Sequence, residues 1–479
     1  MSPSRRGEGE SSSVPGPGTP ETVSQDSGPP DSVWPDSVTP DSVTPEAGRG
    51  DLLKILRVRD GLAVTVGIVI GVGILRTPGL IAGYLGNPLA MLAVWVFGGV
   101  VVVLSTLVLA EMAAALPQAG GKYVYAREAY GPQVGFVVGW SELLVTRGFS
   151  GGAKAVVIAE YLVLLLGRGS VPILAGTVVL AFFLLHTGGL KVGRDFQNLT
   201  TVAKVLFILA IGVAGVLGGD GRGFLSSMDV SPEFAGLLGF ALAYQAIAFT
   251  YYGWEEPAKL AEETLNPGRS LPRILVGGAV AVAILYLLIN LAFLSALTPE
   301  EMAGSQLVAA DALHATFGGA AGTFVTVASL VILLSSLNVQ FLGMPRVVLG
   351  LAREGMAPSG FTRVSPRGTP QPALVFITAI LLTLAVTGAF EFLMRFMMAV
   401  AFAVDLVVLA GIFLLRRRRP DLHRPLRVPL FPWLPGVTVL LYALVLATIV
   451  WTQPGLGLGA AIMLGTLWVA GWATLRTSQ

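Results

Sequence analysis

The chain has 479 residues, of which 54% are hydrophobic and only 13% are charged. Soluble domains carry roughly 25% charged residues, so the composition argues against an ordinary soluble domain. The chain has no cysteine, which excludes disulfides and thiolate metal sites, and its formal net charge of +2 does not point to nucleic acid as a partner.

The first 50 residues differ in composition from the rest of the chain. They are rich in Pro, Ser, Gly and Asp and contain the repeat PDSVWPDSVTPDSVTPEA at residues 30–47. Such a tract cannot bury enough apolar surface to offset the entropy lost on ordering. We therefore predict that residues 1–50 form a disordered cytoplasmic tail. We do not expect a signal peptide, because no compact apolar core follows Arg5 and Arg6.

Residues 51–479 form a predicted membrane domain, in which apolar runs alternate with short polar joints. A helix of about 20 apolar residues is long enough to cross a bilayer. The pattern predicts an all-α polytopic membrane protein with about twelve transmembrane helices. The predicted spans are residues 62–85, 88–109, 134–166, 171–185, 196–217, 234–260, 274–297, 324–349, 373–386, 393–415, 434–450 and 456–475.

Basic residues are concentrated before the first span and in every second joint after it, up to the arginine run at 416–419. The intervening joints are nearly free of them, with Arg168 and Arg222 as exceptions. Cytoplasmic loops carry the excess of Lys and Arg in membrane proteins. We therefore predict a multi-pass protein of the cytoplasmic membrane with both termini in the cytoplasm. The arginine run is interpreted as a membrane anchor rather than a nucleic-acid site.

The first predicted span contains IVIGVGILRTPG (residues 68–79), with three glycines and one proline. A helix that only had to cross the membrane would not be weakened where no water can satisfy its backbone. We interpret the segment as a helix break that lines a cavity. The alternative is that Gly67, Gly71 and Gly73 only allow close helix packing. A nucleotide-binding loop does not fit, because Arg76 stands where G-x-G-x-x-G requires glycine.

The sixth predicted span is interrupted in the same way. Its segment AFTYYGWEEPAKLAEETLNP (residues 248–267) is broken at Tyr252-Gly253 and again at Pro257. The two interrupted spans lie five spans apart, so they begin on opposite sides of the membrane. This arrangement is typical of transporters with inverted repeats and a site near the membrane midplane. We predict a first repeat at about 60–217, a second at about 234–415 and extra helices at about 434–475.

The ends of broken helices suit a zwitterion. A helix N-terminus after a break presents unpaired N–H groups and a positive dipole end, which favour a carboxylate. The C-terminus before a break presents carbonyl groups, which can accept hydrogen bonds from an ammonium. A site with both ends matches the backbone of an α-amino acid.

Four motifs resemble those of the amino acid–polyamine–organocation (APC) transporters, in that family's order. The resemblance implies the LeuT-type fold, with five plus five inverted helices and two C-terminal helices. It also implies alternating-access transport of amino acids or related amines. The motifs are GIVIGVGILRTPG, EMAAALPQAGGKYVYAREAYGP, YYGWEEPAKLAEETLNPGRSLPR and NVQFLGMPRVVLGLAREGMAP.

The resemblance implies substrate-binding residues at the first break. The substrate carboxylate would meet the amides of Val72 and Gly73, next to Gly71, and the ammonium would meet the carbonyl of Val69. The sequence departs from the family at Val72, where many relatives carry serine or threonine. A contact through the backbone amide survives this change, whereas a contact through a hydroxyl does not.

The resemblance implies further substrate-binding residues at the second break. The carbonyl of Phe249 would also accept from the ammonium, and its ring corresponds to the aromatic that closes over bound substrate. Tyr252 is a further candidate contact. Gly253 forms the break, and Trp254 lies just beyond it.

Lys204 is predicted to be a coupling residue. It lies nine residues after Asp195, which is about 13 Å along a helix and too deep for easy exposure of an ammonium. In sodium-independent relatives, a lysine at this place in helix five puts its ammonium where others bind sodium. The alternative is a lysine that extends to the membrane surface.

Other charges are also embedded in predicted spans. Arg147, Lys154 and Asp405 have no role assigned, and for Lys154 an interhelical ion pair and a function are equal alternatives. Glu255 and Glu256 follow the second break, where they would favour a cationic substrate if they faced the pocket.

We predict a transporter of neutral L-amino acids, working as an exchanger or a proton-linked symporter. The alternative is an exchanger of cationic amino acids or polyamines. A channel or an intramembrane enzyme is a remote alternative, because a pore needs no paired breaks and the spans hold no catalytic constellation. We expect no catalytic residues, metal or cofactor.

The expected partners are the amino acid substrate and membrane lipid. Nucleic acid is not expected. Some animal relatives are joined to a partner subunit through a cysteine, and this chain has none, so a disulfide-linked partner is excluded.

The predicted orientation can be tested with single cysteines, because the chain has no native one. We expect Ser365→Cys to be labelled only from the cytoplasm and Ser305→Cys only from outside. The measurement is labelling by a membrane-impermeant maleimide in intact cells and in inverted vesicles. Labelling from the opposite sides would overturn the orientation and the inverted-repeat argument.

Overall fold

The computed structural model describes residues 52–229, 236–305, 308–317, 321–387 and 390–477. The predicted tail at residues 1–50 lies outside them. These described residues are almost entirely helical, and their only β-type pairing is a single parallel bridge between Leu56 and Thr264.

Each predicted span overlaps a helix or a set of consecutive helices. Residues Glu142–Arg147 form a π-helical turn between α5 and α6, and Glu256–Glu263 form a 3-10 helix after α10. The helices up to this point are α1 (Val58–Val69), α2 (Val72–Leu85), α3 (Pro88–Ala115), α4 (Lys122–Tyr130), α5 (Pro132–Ser141), α6 (Gly148–Leu166), α7 (Val171–Thr187), α8 (Leu190–Gly218), α9 (Arg222–Leu225) and α10 (Leu237–Tyr251).

The second half of the chain continues with long helices and short connections, one of which contains the 3-10 turn Ser359–Thr362. The helices are α11 (Pro267–Ala296), α12 (Pro299–Gly304), α13 (Val308–Phe317), α14 (Ala321–Arg353), α15 (Gln371–Thr387), α16 (Phe390–Arg418), α17 (Trp433–Thr452) and α18 (Pro454–Thr477).

Within the described residues, seven helices are long and apolar enough to cross a membrane. Two shorter apolar helices, Val171–Thr187 and Gln371–Ala385, accompany them. These apolar helices confirm the prediction of a helical polytopic membrane protein. The number of twelve spans stays a prediction. The long candidates are Pro88–Ala115, Leu190–Gly218, Pro267–Ala296, Val327–Arg353, Phe396–Arg418, Trp433–Thr452 and Pro454–Arg476.

The turn between α2 and α3 shows how local sequence fixes helix ends. Gly86 ends α2 in the left-handed region, with φ of 61°, a conformation that glycine adopts without steric cost. Asn87 then caps α3 by accepting a hydrogen bond from the amide of Ala90 at 3.0 Å. Pro88 occupies the first helical position, where no N–H is needed.

A buried carboxylate joins α3 to α16 and to the segment that leads to α17. Glu111 accepts from Arg416 Nε at 2.8 Å and from the amide of Val428 at 2.7 Å, and Arg424 lies 3.3 Å away. Because a buried carboxylate needs several donors, these contacts fix the ends of three elements together.

The segment before α1 is tied to the residues that follow the 3-10 helix. The amide of Leu56 donates to the carbonyl of Glu263 at 2.8 Å, and the amide of Leu265 donates to the carbonyl of Leu56 at 2.8 Å. The Glu263 carboxylate pairs with both Nε and an Nη of Arg346 in α14, at 3.0 and 2.9 Å. This arrangement anchors the entry to α1 beside α14.

Candidate substrate site

The first predicted break lies between α1 and α2. Helix α1 ends at Val69 and α2 begins at Val72, and the two residues between them, Ile70 and Gly71, have extended backbone angles. The first N–H groups of a helix have no partner within it, and Gly71 has no side chain that could cap them. These amides and the positive dipole end of α2 can therefore receive an anion.

Lys204 of α8 satisfies the carbonyl groups at the end of α1. Its fully buried ammonium donates hydrogen bonds to the carbonyl oxygens of Gly67, at 2.7 Å, and Ile70, at 2.6 Å. The last carbonyl groups of a helix have no partner within it. The ammonium of Lys204 thus lies directly beside the first break, and its coupling role stays a prediction.

The glycines of the first span have different environments. A Cβ atom on Gly67 would lie 1.7 Å from Nε2 of Gln197 in α8, so a larger residue would displace this side chain. A Cβ atom on Gly71 would have no neighbour closer than Oγ of Ser336, at 3.8 Å. Gly67 therefore lies close against α8, whereas packing does not require glycine at position 71.

The second predicted break follows α10. The helix ends at Tyr251, Tyr252 is extended, and Gly253 has φ of +121°, which strains any other residue. A Cβ atom on Gly253 would lie 2.9 Å from the side chain of Ile68. The second break therefore packs directly against the last turn of α1.

One tyrosine hydroxyl joins the two breaks. The oxygen of Tyr286, in α11, lies 2.8 Å from the carbonyl oxygen of Val69 and 3.0 Å from that of Thr250. Its single proton can be donated to either acceptor. Oγ1 of Thr250 is also 2.9 Å from Oγ1 of Thr77 in α2. The carbonyl ends of α1 and α10 are thus held at one place, next to the start of α2.

The structure places the predicted substrate-binding residues at these two adjoining breaks. Val69, Gly71, Val72 and Gly73 lie at the first, and the others at the second. The carbonyl oxygen of Phe249 accepts from the amide of Tyr252 at 3.1 Å, and a second acceptor lone pair remains on such an oxygen.

Tyr252 and Trp254 face another part of the bundle. Together with Asp405 and Tyr442, they line a small cavity between α3, α10, α16 and α17, with room for about one water molecule. Trp254 is 2% exposed. These two predicted site residues therefore lie on the side of the second break that faces α16.

A network of buried charges lies next to the second break, and sequence reasoning missed it as a unit. Each member is at most 2% exposed. The members come from α4, the π-helical turn, the 3-10 helix with the residue before it, and α16. They are the carboxylates Glu142, Glu255, Glu256 and Asp405 and the cations Lys122, Arg147 and Lys259.

Every cation of this network contacts at least two carboxylates. Nζ of Lys122 lies 2.6 Å from Asp405 and 2.9 Å from Glu255. Arg147 pairs with Glu255 and lies 2.7 Å from Glu256. Lys259 lies 2.7 Å from Glu256 and 2.8 Å from Glu142.

Tyr252 connects this network to the second break. Nζ of Lys122 lies 3.1 Å from its hydroxyl. The charged groups of Lys122 and Arg147 are also 5.1 and 4.9 Å from the centre of its ring, within the range of cation–π attraction. The network therefore fixes the residue at which α10 stops.

Three of the carboxylates could in principle hold a metal ion. Oxygen atoms of Glu142, Glu255 and Glu256 lie within 4.8 Å of one another. Arg147 and Lys259 already bring positive charge to these oxygens. The arrangement is therefore accounted for as an ion-pair network.

The only signal for this network in the sequence was the position of its members. Arg147 and Asp405 lie inside predicted spans, whereas Lys122 lies between the predicted spans 88–109 and 134–166. Gly120 and Gly121 precede it with φ of +119° and +70°, and this turn directs the first residue of α4 inward. A hydropathy pattern cannot show that turn.

These features define a polytopic helical membrane protein with a polar site at two facing helix breaks. Comparison with known proteins agrees with this class. Residues 58–472 match the model of the "Amino acid permease" family. The chain belongs to the amino acid permeases of the APC superfamily, whose members are transporters and not enzymes.

Characterised relatives are similar to this chain over most of their length. The serine/threonine exchanger SteT of Bacillus subtilis is 28% identical over 394 residues, which cover 81% of this chain and 89% of the relative. The mouse b(0,+)-type amino acid transporter 1 is 27% identical, covering 83% of each chain. The human large neutral amino acids transporter small subunit 2 is 27% identical, covering 88% and 81% respectively.

Gly73 provides a test of the close contact between α2 and α10. A Cβ atom there would lie 3.0 Å from Cα of Thr250. Overpacking costs about 1–3 kcal/mol, so we expect Gly73→Leu to lower amino acid uptake about tenfold or more while the protein still inserts. The measurement is uptake in proteoliposomes at matched protein content.

The matched control is Gly83→Leu in the same helix, where the nearest atom to an added Cβ is that of Ala303, at 3.9 Å. We expect this variant to keep most of its activity. Normal uptake by Gly73→Leu would show that the start of α2 needs no close approach.

Proposed function

We propose that the protein is a secondary active transporter of amino acids that works by alternating access across the cytoplasmic membrane. Neutral L-amino acids are the proposed substrates, moved by exchange or by proton-linked symport. The observation that carries this proposal is the meeting of two broken helices at one buried place. Helix amides and helix carbonyls are both available there, as the backbone of an amino acid requires.

The proposed architecture is the LeuT-type inverted repeat. Helices α1 to α8 would form the first repeat, α10 to α16 the second, and α17 and α18 the additional pair. Support comes from the position of the breaks, one at the start of each half, and from their direct contact through Ile68 and Gly253. Both termini would lie in the cytoplasm.

For the substrate carboxylate, we assign the amides of Val72 and Gly73. They belong to the uncapped first turn of α2. Gly71 supports this assignment, because neither packing nor its φ of −133° demands a glycine there. A remaining reason for glycine at position 71 is that a ligand must approach the backbone closely there.

For the substrate ammonium, we assign the carbonyls of Val69 and Phe249. Tyr286 contacts the Val69 carbonyl oxygen, whose second lone pair remains for the ammonium. Lys204 holds the neighbouring carbonyls of Gly67 and Ile70. The ring of Phe249 is proposed to close over the substrate. The closure would then be transmitted to the rest of the bundle through Tyr252, Gly253 and Trp254. Membrane lipid would surround the apolar helices.

The arrangement of the acidic residues favours a neutral over a cationic substrate. Glu255 is paired with Lys122 and Arg147, and Glu256 with Arg147 and Lys259. Both are 1% exposed. An alternative cationic substrate would have to compete with these cations for the carboxylates.

A transport panel tests the proposed function. We expect reconstituted protein to take up neutral L-amino acids and to exclude polyamines. Preloading the vesicles with the same amino acid would raise uptake if the protein is an exchanger, whereas an inward proton gradient would raise it in a symporter. The measurement is radiolabelled uptake of the twenty amino acids and of putrescine at two pH values. Uptake of none, or only of cations, would contradict the proposal.

Lys204 is the proposed coupling residue, and its substitution tests that role. Lys204→Ala leaves two buried carbonyl groups without a donor, which costs about 1–3 kcal/mol each. We expect transport to fall about tenfold or more. Lys204→Arg should rescue it only in part, because a planar guanidinium does not replace a compact ammonium.

The measurement is uptake at several pH values and matched expression, with Lys191→Ala as the control, because Lys191 lies in the same helix and is exposed. An alanine variant with the wild-type rate and pH profile would remove Lys204 from the mechanism.

A further inference from the structure

Lys154 is the remaining embedded charge, and the packing of α6 places it near the first break. Helices α6 and α14 run antiparallel. Arg147 pairs with Glu256, whose carboxylate faces Gly343 of α14. One turn further along α6, Ser150 lies 3.4 Å from Gln340, one turn back along α14.

One more turn in each direction brings Lys154 to the level of Ser336. Ser336 belongs to the surroundings of the first break, because its hydroxyl donates to the carbonyl of Ile68 at 3.3 Å. It is also the nearest side chain to an added Cβ on Gly71. Counting helical turns from the contact between Ser150 and Gln340 therefore places Lys154 at the level of the proposed substrate site in the membrane.

The charged neighbours of Lys154 leave its ammonium without a partner. Arg147, Lys259 and Lys204 repel it, and Glu256 attracts it. Glu256 already pairs with Arg147 and Lys259. Among the described residues, Lys154 forms no ion pair and no hydrogen bond.

The surroundings of Lys154 also leave it partly open. Its neighbours Ala153 and Ala155 are 3% and 0% exposed, whereas Lys154 is only partly buried. A buried ammonium without acceptors is unfavourable. The side chain is thus positioned to take an acceptor from outside the chain.

The buried carboxylates of the described residues already have other partners. Those of the network contact its three cations, and Asp60, Glu111 and Glu263 have donors of their own. Lys204 has two carbonyl acceptors of its own. Lys154 is the cation for which the described interior supplies neither a carboxylate nor a carbonyl.

We propose that Lys154 is a specificity-determining residue that donates a hydrogen bond to an oxygen on the side chain of the bound amino acid. The preferred substrates are then amino acids with a hydroxyl, amide or carboxylate side chain. The inference rests on the proposed amino acid transport and names the substrate class. It also gives a reason for rejecting cationic substrates, since their side chains would meet an unpaired positive charge.

The test compares side-chain selectivity in wild type and in Lys154→Met, which keeps the length of the side chain without its charge. Unlabelled serine, threonine, asparagine, glutamine and glutamate are ranked against alanine, leucine and lysine as competitors of uptake. We expect the oxygen-bearing competitors to lose about tenfold or more in relative potency in the variant, because hydrogen bonds to charged groups are among the strong ones. Alanine and leucine should not lose potency.

Lys154→Arg should keep the wild-type ranking, since it retains a charged donor, and Lys191→Met serves as the exposed control. If Lys154→Met does not accumulate in the membrane, Lys154→Leu, which also lacks a donor, replaces it in the same comparison with Lys154→Arg. Stronger competition by glutamate than by glutamine would identify the carboxylate as the acceptor. The reverse order would identify the neutral oxygen, and both orders support the proposal.

An unchanged ranking in the uncharged variant would overturn the proposal while leaving amino acid transport intact. A general loss of rate without a change in ranking would do the same, because it would show a structural role only. Absence of uptake of every amino acid by the wild type would instead overturn the proposed function itself, and the selectivity inference with it.

Discussion

Backbone groups that are freed inside an apolar helix bundle must find partners within the protein, and the candidate site depends on how this chain meets that constraint. At the end of α1, Lys204 and Tyr286 supply donors to the carbonyl oxygens of Gly67, Ile70 and Val69. At the start of α2, Gly71 has no side chain that could offer an acceptor to the amides. The carbonyl side of the break is therefore fixed in place, with a second lone pair of the Val69 oxygen open to a ligand, and the amides of the other side are open as well.

The buried charges beside the second break give it a defined position. Removing one partner of a buried pair costs about 3–5 kcal/mol, more than the roughly 1 kcal/mol of an ordinary hydrogen bond. Because four elements share these charges, the 3-10 helix after α10 cannot move without α4, the π-helical turn and α16. Tyr252 contacts Lys122 and Arg147 from the break itself. A rearrangement at the breaks would thus be transmitted to the network directly.

Both breaks could be predicted from the sequence, because glycine and proline within an apolar run are a local signal, and the depth of Lys204 follows from helix rise alone. Tyr286 could not be predicted, since it lies in an uninterrupted apolar helix and its acceptors are 217 and 36 residues away in the chain. The burial of Lys122 could not be predicted either, because it lies between two predicted spans and hydropathy does not reveal the turn that directs it inward. The distinction between Gly67 and Gly71 also depends on the approach of α8, which no local pattern shows.

The central claim is that the two breaks form one site for an amino acid backbone. The most direct measurement is an experimental structure of the protein with a transported amino acid bound. The account predicts substrate carboxylate oxygens within hydrogen-bonding distance of the amides of Val72 and Gly73, with the ammonium facing the carbonyls of Val69 and Phe249. A substrate bound elsewhere in the bundle, with the start of α2 covered by protein side chains, would contradict it.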